Sequence, residues 1–284
     1  MKVLVAGATG YLGGYIIKEL QKRKLDFVAL ARNAEKLKKQ NIDAHQMKIA
    51  EVTQANDLKG ICDGVEVVIS TLGITRQKDG LTYRDVDYQA NLNLLKEAIR
   101  AGVKKFIYIS VINGASFRHL KLVEAKEMFV DELKASPIQH TVIRPNGFFS
   151  DMKDFLAMAE KGTVYLFGKG NFKLNPIHGE DLAVHCVDAI NSHDLELSVG
   201  GPDILTQHEI AILALKAFGN PIKIVHLPDW IRRLSLFLMI RFTSVKTYGP
   251  FEFFLNLLAQ DNIAPRSGLH RLQHFFKAEA DKIR

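Results

Sequence analysis

Cysteine is nearly absent from this chain. Cys62 and Cys186 are the whole complement, and their spacing fits neither a CxxC motif nor a metal-ligand set. They are expected to be small buried hydrophobes in a reducing compartment, and no metal site is expected. Long hydrophobic runs are missing too. The longest charge-free apolar stretch near the C-terminus is Leu234–Ile240, far short of the roughly 20 residues a spanning helix needs. Met1 is followed at once by strand-like sequence, so no leader peptide is expected and the location read from the chain is cytoplasmic. The lysines are scattered rather than interleaved with aromatics, and no nucleic-acid reader motif is present, so nucleic acid is not an expected partner. Neither an internal repeat nor a low-complexity tether occurs.

What is present is a chain of 284 residues, 47% hydrophobic and 24% charged. That suits one large α/β domain, or one with a small appended lobe, with ample core. The net charge of +7 fits an anionic ligand, and by itself would also suit nucleic acid or an anionic membrane surface.

The start of the chain is its most informative stretch. An apolar strand, Val3 to Ala6, runs into Gly7-Ala-Thr9-Gly10-Tyr11-Leu12-Gly13, which opens an amphipathic helix. Gly7 permits a tight strand-to-helix reversal, Gly10 lets backbone approach a pyrophosphate, and Gly13 lets the helix pack closely on the sheet. The helix N-terminus then offers N–H groups to the anion. The first two glycines are separated by two residues rather than one, but a glycine triplet between a strand and a helix is in the context that gives the motif meaning.

Onward, apolar runs alternate with helical patterns. Strands are expected at Lys2–Ala6, Phe27–Ala31, Ala44–Lys48, Glu66–Ser70, Lys105–Ser110 and His140–Arg144. Helices are expected at Tyr11–Arg23, Ala34–Lys39, Ala55–Cys62, Tyr83–Ala101, with Gly102 as its stop, and Leu120–Ala135. This alternation predicts an α/β fold, a doubly wound parallel sheet of Rossmann type with a small C-terminal substrate lobe. The core is expected over 1–150, with 175–192 returning to it, and the lobe over 151–174 and 193–284.

In the common NAD-binding arrangement an acidic residue ends the second strand and bonds the ribose. Here that strand ends at Arg32, with Lys36 one helical turn later, and Asp26 sits at its wrong end. A guanidinium with a nearby ammonium suits a 2′-phosphate, so NADP(H) is expected over NAD(H). Ligands in such sheets lie beyond the carboxyl ends of strands. Glu51 follows the third strand and could meet the adenine edge, or be an ordinary loop carboxylate. Thr71-Leu72-Gly73 follow the fourth and could line the nicotinamide ribose, and Ser110 ends the fifth.

Gly7-x-x-Gly10-x-x-Gly13, the Arg32 strand end, Lys126 on a later helix, Arg144-Pro145-Asn-Gly-Phe148 and Pro176-Ile-His178 with Asp181 together resemble the extended and atypical short-chain dehydrogenase/reductases. The likeness is to the NmrA-like, isoflavone-reductase-like and divinyl-chlorophyllide-reductase-like branches, over roughly residues 1–190. It implies a dinucleotide-binding Rossmann domain to which Pro145 and Phe148 also contribute. In that family a tyrosine and a lysine four residues apart do the chemistry. Here Lys126 is kept, Leu122 stands at the tyrosine position, and Val111 stands where the assisting hydroxyl belongs. Lys126 is therefore the expected catalytic residue, unless it is an exposed helical lysine paired with Glu124 or Glu127. His119, seven residues earlier, shares its face if the helix reaches back that far, though a polar histidine near a helix start is the plainer reading. His178 and Asp181 read as structural first, with a substrate-side role as the alternative.

The expectation is an NADP(H)-dependent oxidoreductase acting on a hydrophobic small molecule. The alternative is a non-catalytic dinucleotide-binding regulator or assembly factor; under either reading a monomer or homodimer is expected. Trp230–Phe242 and Phe251–Leu258 are greasy and are expected to cover the sheet's open end as an apolar pocket or a subunit interface. Contact of Trp230, the two arginines and the phenylalanines with a membrane surface ranks lower, because Leu234–Ile240 is apolar nearly all round, as in a buried helix.

Overall fold

Val3, Leu4, Val5 and Ala6 are fully buried, and a strand hydrophobic on both faces belongs at the centre of a sheet covered from both sides. That is where β1 (Lys2–Ala6) lies in the computed structural model, which describes every residue except 76, 78 and 79. After it come α1 (Tyr11–Lys22), β2 (Asp26–Ala31), α2 (Ala34–Lys38), β3 (Met47–Ile49) and β4 (Val67–Ser70). A π-helical segment, Arg84–Ala90, runs directly into α3 (Asn91–Arg100), followed by β5 (Lys105–Ile109), α4 (Lys121–Ala135) and β6 (Gln139–Pro145). The rest of the chain forms α5 (Lys153–Glu160), β7 (Val164–Phe167), β8 (Lys173–Leu174), α6 (Gly179–Asp188), β9 (Glu196–Val199), β10 (Leu205–Thr206), α7 (Gln207–Ala217), β11 (Ile224–Leu227), α8 (Asp229–Phe242), α9 (Val245–Leu257) and α10 (Leu272–Ile283).

A seven-stranded sheet runs in the order β3-β2-β1-β4-β5-β6-β9. β1 to β6 pair in parallel, with Val3 opposite both Phe27 and Val67. The strand order reverses between β1 and β4, the topological switch point where ligands of such sheets bind.

The chain divides into two compact units, 1–144 with 182–197, and 145–181 with 198–284. The first holds β1 to β5, β6 as far as Arg144, and α1 to α4. One face of its core joins Leu4, Val68, Phe106 and Val142 from the strands to Leu94, Phe129 and Leu133 from the helices. The second unit has its own core, where Phe155 of α5, Leu166 of β7, Ile210 of α7 and Phe276 of α10 meet. In it β7 pairs in parallel with β11, and β8 antiparallel with β10. Thr206 and Glu209 close a reciprocal capping box at the start of α7.

Three expected elements differ. Residues 55–62 make only a 3-10 turn over Ala55–Leu58, because Gly60 and Gly64 take φ of +77° and +74° and break any continuing helix. Residues 44–46 form another such turn, and only Met47–Ile49 find partners on β2. The helix expected over 83–101 is interrupted by the π-helical segment. The expectation of a buried helix at α8 is overturned: only Arg232 and Leu236 are buried.

Candidate functional site

The turn after β1 is built from close approaches. Gly7 has φ +79°, and a Cβ on it would stand 2.6 Å from Thr71 Oγ1. A Cβ on Gly13 would stand 2.2 Å from the Gly7 carbonyl oxygen, so only glycine lets α1 sit this tightly on the turn. The Thr71 hydroxyl donates to the carbonyl of Ala6 at 2.9 Å, tying the ends of β1 and β4 together at the switch point. Gly10 is the N-cap of α1, no side chain caps it, and its first turn carries no acidic residue. An uncapped N-terminus without a competing carboxylate fits a pyrophosphate. Thr9 is half-buried beside it, Leu12 is buried, and Tyr11 lies edge-on against Tyr15 at 5.3 Å.

Beyond β2, Arg32 is exposed, with Nη1 3.8 Å from Glu51 Oε2. Glu51 also accepts from the Thr53 hydroxyl at 2.9 Å and the Thr53 N–H at 3.2 Å, so it is both a turn residue and the neighbour of Arg32. Lys36 is exposed on α2, which starts where the Asn33 side chain accepts from the Glu35 N–H. Asp26, at the other end of β2, faces Lys2 at 3.7 Å.

Beyond β4 and β5 lies a group that sequence reasoning missed in part. Lys126 of α4 places Nζ 2.9 Å from Asp87 Oδ1, on the π-helical segment, with its side chain 12% exposed and that of Asp87 fully buried. The Ile74 N–H donates to the other Asp87 oxygen at 3.2 Å. Nζ also lies 5.5 Å from the centroid of the Tyr108 ring, which stacks edge-on against Phe129. Gly73 covers the pair: a Cβ there would be 2.7 Å from Asp87 Oδ1 and 2.8 Å from Lys126 Nζ. Leu72 packs against the core while its carbonyl accepts from Asn91. Burial opposes the Lys126 charge, but Tyr108 and the Asp87 carboxylate outweigh it and hold the ammonium above its usual range. Burial pushes the Asp87 carboxyl up, against the pull of Lys126, and pushes the Tyr108 phenol up.

The pairing of Lys126 with Glu124 or Glu127 is not found. Glu124 pairs with Lys121 at 3.0 Å. Glu127 is buried and takes Arg144 bidentately, at 2.7 and 3.0 Å, while the Ser110 hydroxyl donates to it at 2.8 Å. Arg144 Nε reaches Glu196 at 2.9 Å, and a Cβ on Gly114 would collide with both Glu127 and Arg144. Ser110 thus sits 3% exposed inside a buried ion-pair network. Glu196 and Glu127 together hold the Arg144 guanidinium above its usual range despite burial.

Leu122, in place of a tyrosine, is buried. His119 is exposed and precedes α4, whose N-cap is the extended residue Leu120, so the shared helical face does not exist. In the second unit Pro145 is buried at the end of β6, and the Phe148 N–H donates to Asp151 at 2.9 Å. There Asp181 accepts from the N–H groups of Leu269 and His270 and meets His270 Nδ1 at 2.8 Å, and His178 stacks on His270 at 4.3 Å.

A faint signal of Asp87 was in the sequence: an acid on the same periodic stripe as Val86, Ala90 and Leu94, four residues before Asn91. Asn91 is itself buried and donates to the Asp87 carbonyl at 3.0 Å. Nothing local marked Glu127 or Tyr108, whose partners are distant in the chain.

Comparison with known proteins agrees with this geometry. A family model described as NAD(P)H-binding matches residues 7–193. The chain is 29% identical over 251 residues to the divinyl chlorophyllide a 8-vinyl-reductase of Arabidopsis thaliana, covering 80% of this chain and about 60% of the relative's length. It is 24% identical to the photosystem II assembly factor Ycf39 of Guillardia theta, covering 90% of this chain and 80% of that one. Among solved structures, the NADP(H) complex of triphenylmethane reductase from Citrobacter sp. superposes with a TM-score of 0.74 over 99% of this chain and 100% of that one, at 18% identity, a likeness of fold. The glycine turn at the switch point and a family model spanning most of the chain lead to one assignment: the protein belongs to the NAD(P)H-binding family of Rossmann-fold proteins.

Proposed function

We propose that the protein is an NADP(H)-dependent oxidoreductase that passes hydride between the nicotinamide and a hydrophobic small molecule. The observation that carries this is Lys126, held as an ammonium by buried Asp87 under Gly73, in the unit that bears the glycine turn. A lysine kept protonated is a hydrogen-bond donor, not a base. Its work is to grip the ribose hydroxyls and to stabilise negative charge developing on a substrate. The α1 N-terminus with Gly7, Gly10 and Gly13 holds the pyrophosphate. Arg32 and Lys36 receive the 2′-phosphate, Glu51 steering Arg32 from 3.8 Å. The reduced cofactor supplies the hydride.

With Leu122 where a phenol would donate, simple ketone reduction has no dedicated acid. An activated carbon–carbon double bond, such as a vinyl group conjugated to a ring, suits the site better: hydride adds to its terminal carbon, the charge spreads into the ring, and water supplies the proton. The likeness to a vinyl-reductase supports that substrate class.

The test is NADPH consumption by the pure protein against enones, quinones and aldehydes, beside the pair Lys126→Met and Lys126→Met with Asp87→Asn. The second variant leaves no buried carboxylate without its cation. Loss of a charged hydrogen bond to the ribose should lower turnover by roughly 10–100-fold in both. Undiminished turnover in the double variant would sink the role of Lys126. A separate comparison reads the cofactor. Arg32→Ala should weaken NADPH binding about tenfold and leave NADH unchanged, because an exposed guanidinium gives only part of a charge-assisted bond. Equal loss for both dinucleotides would refute the clamp.

A second reading is a protein that holds the dinucleotide without turning it over. The buried Leu122 and the likeness to an assembly factor favour it. Tight NADPH binding with no turnover against any of the three acceptor classes would select it.

A further inference from the structure

The outer face of α8 is apolar, and its inner face buries an arginine beside a leucine. Trp230 (62% exposed), Leu234, Phe237 (64%), Leu238 and Phe242 (74%) face solvent, whereas the residues that α8 buries are Arg232 and Leu236. Arg232 is held inward by Asp229 at 2.6 Å and reaches the Leu255 carbonyl at 3.5 Å. At 100° per residue, positions 230, 234, 237, 238 and 241 share one arc, so the exposed side chains form a continuous strip, which Phe251 of α9 extends in kind. Scattered exposed hydrophobics need no explanation, but a contiguous strip of aromatics marks an interaction surface.

Charge says what covers it. Between 229 and 251 the chain has four basic residues and one acid. Arg241 and Arg233, the latter also paired with Asp229 at 2.7 Å, lie within the exposed strip, and Lys246 follows it, also exposed. A second copy of this chain placed face to face on the strip would bring these cations against their own images. A bilayer surface bearing anionic headgroups supplies both needs at once: an acyl boundary for tryptophan, leucine and phenylalanine, and phosphates for the guanidinium groups. α8 has 14 residues, about 21 Å at 1.5 Å per residue, against a hydrocarbon core of about 30 Å. Among the described residues no helix is long and apolar enough to cross a membrane. The geometry points to α8 as an in-plane anchor: we propose that the protein docks through Trp230, Leu234, Phe237 and Phe242 onto anionic lipid surfaces.

The chain carries its own reporter, since Trp230 is its single tryptophan. The protein is mixed at low salt with vesicles of phosphatidylglycerol and phosphatidylcholine in equal parts, and with phosphatidylcholine alone. The expected result is a blue shift of Trp230 emission and co-sedimentation with the anionic vesicles, reversed by salt and at least roughly tenfold weaker on neutral ones. Leu234→Ser with Phe237→Ser should weaken binding at least about tenfold, since two exposed apolar side chains lose their burial. Arg233→Glu with Arg241→Glu should remove the preference for anionic lipid. Both variants should keep the parent melting temperature, since the altered side chains are exposed. No shift and no co-sedimentation, equal binding to both vesicle types, or unaltered binding by the variants would each overturn the proposal. So would a blue shift without lipid that grows with protein concentration, which would assign the strip to self-association.

Discussion

A Gly13→Ala variant is expected to lose dinucleotide binding, while Gly14→Ala, one residue later on the same helix, is expected to keep it. The two differ in what a methyl group meets. At Gly13 it would stand 2.2 Å from the carbonyl oxygen of Gly7 and 2.9 Å from Ala8 Cα, all backbone of the turn itself. Backbone cannot move aside as a side chain does, so α1 must lift from the turn or the turn must open. Either movement displaces the N–H groups that would face the pyrophosphate. Overpacking of this kind costs about 1–3 kcal/mol, and at the upper end the loss of affinity is about 100-fold. At Gly14 the nearest atom is the Gln40 side-chain amide at 3.7 Å, an ordinary contact. Exchange there should leave affinity within about twofold and add up to about 1 kcal/mol of helix stability. Isothermal titration with NADPH and NADH checks both. Parent-like binding by Gly13→Ala would show that the close seat of α1 is not what makes the anion site.

The second large effect is on stability. Glu127→Ala should lower the melting temperature by roughly 6–12 °C, because removing one member of a buried pair costs about 3 kcal/mol or more and each kcal/mol is worth about 2–4 °C at this chain length. Arg144 would be left buried and facing a void, with Ser110 losing its acceptor and Glu196 as the remaining counterion. The double variant Glu127→Met with Arg144→Met should recover much of the loss, since two apolar side chains of similar length replace two desolvated charges. Calorimetry of the three proteins decides it. A single variant melting within about 2 °C of the parent, well inside that predicted drop, would show that the pair contributes little.

The strands were legible wherever both faces are buried. β1 runs over the expected Lys2–Ala6, and β2 and β4 differ from expectation by one residue at their starts, because runs such as Phe27–Ala31 have no polar face to confuse the period. The strand ends expected to carry Arg32, Glu51, Thr71 and Ser110 do carry them. Helix limits were less legible where glycine intervened, as at Gly60, and where the helix widened at Arg84–Ala90. The environment of Lys126 was invisible in one dimension, because Asp87, Gly73 and Tyr108 come from three separate segments brought together by the sheet. α8 misled for another reason. An apolar run reads as buried only if burial is what its side chains do, and here the helix turns its arginine inward instead.

The widened turn at Arg84–Ala90 has an evolutionary corollary. A π turn closes i→i+5 in place of i→i+4, so it stores one surplus residue. Loss of a single codon within it would let the segment rewind as ordinary helix, leaving α3 and the strands in register. Were the lost residue one of 88–90, Asp87 would swing by about 100° around the axis, away from the ammonium it now grips at 2.9 Å. Such a deletion would leave every glycine of the cradle intact while undoing the buried ion pair, so the two halves of the candidate site can change independently of one another.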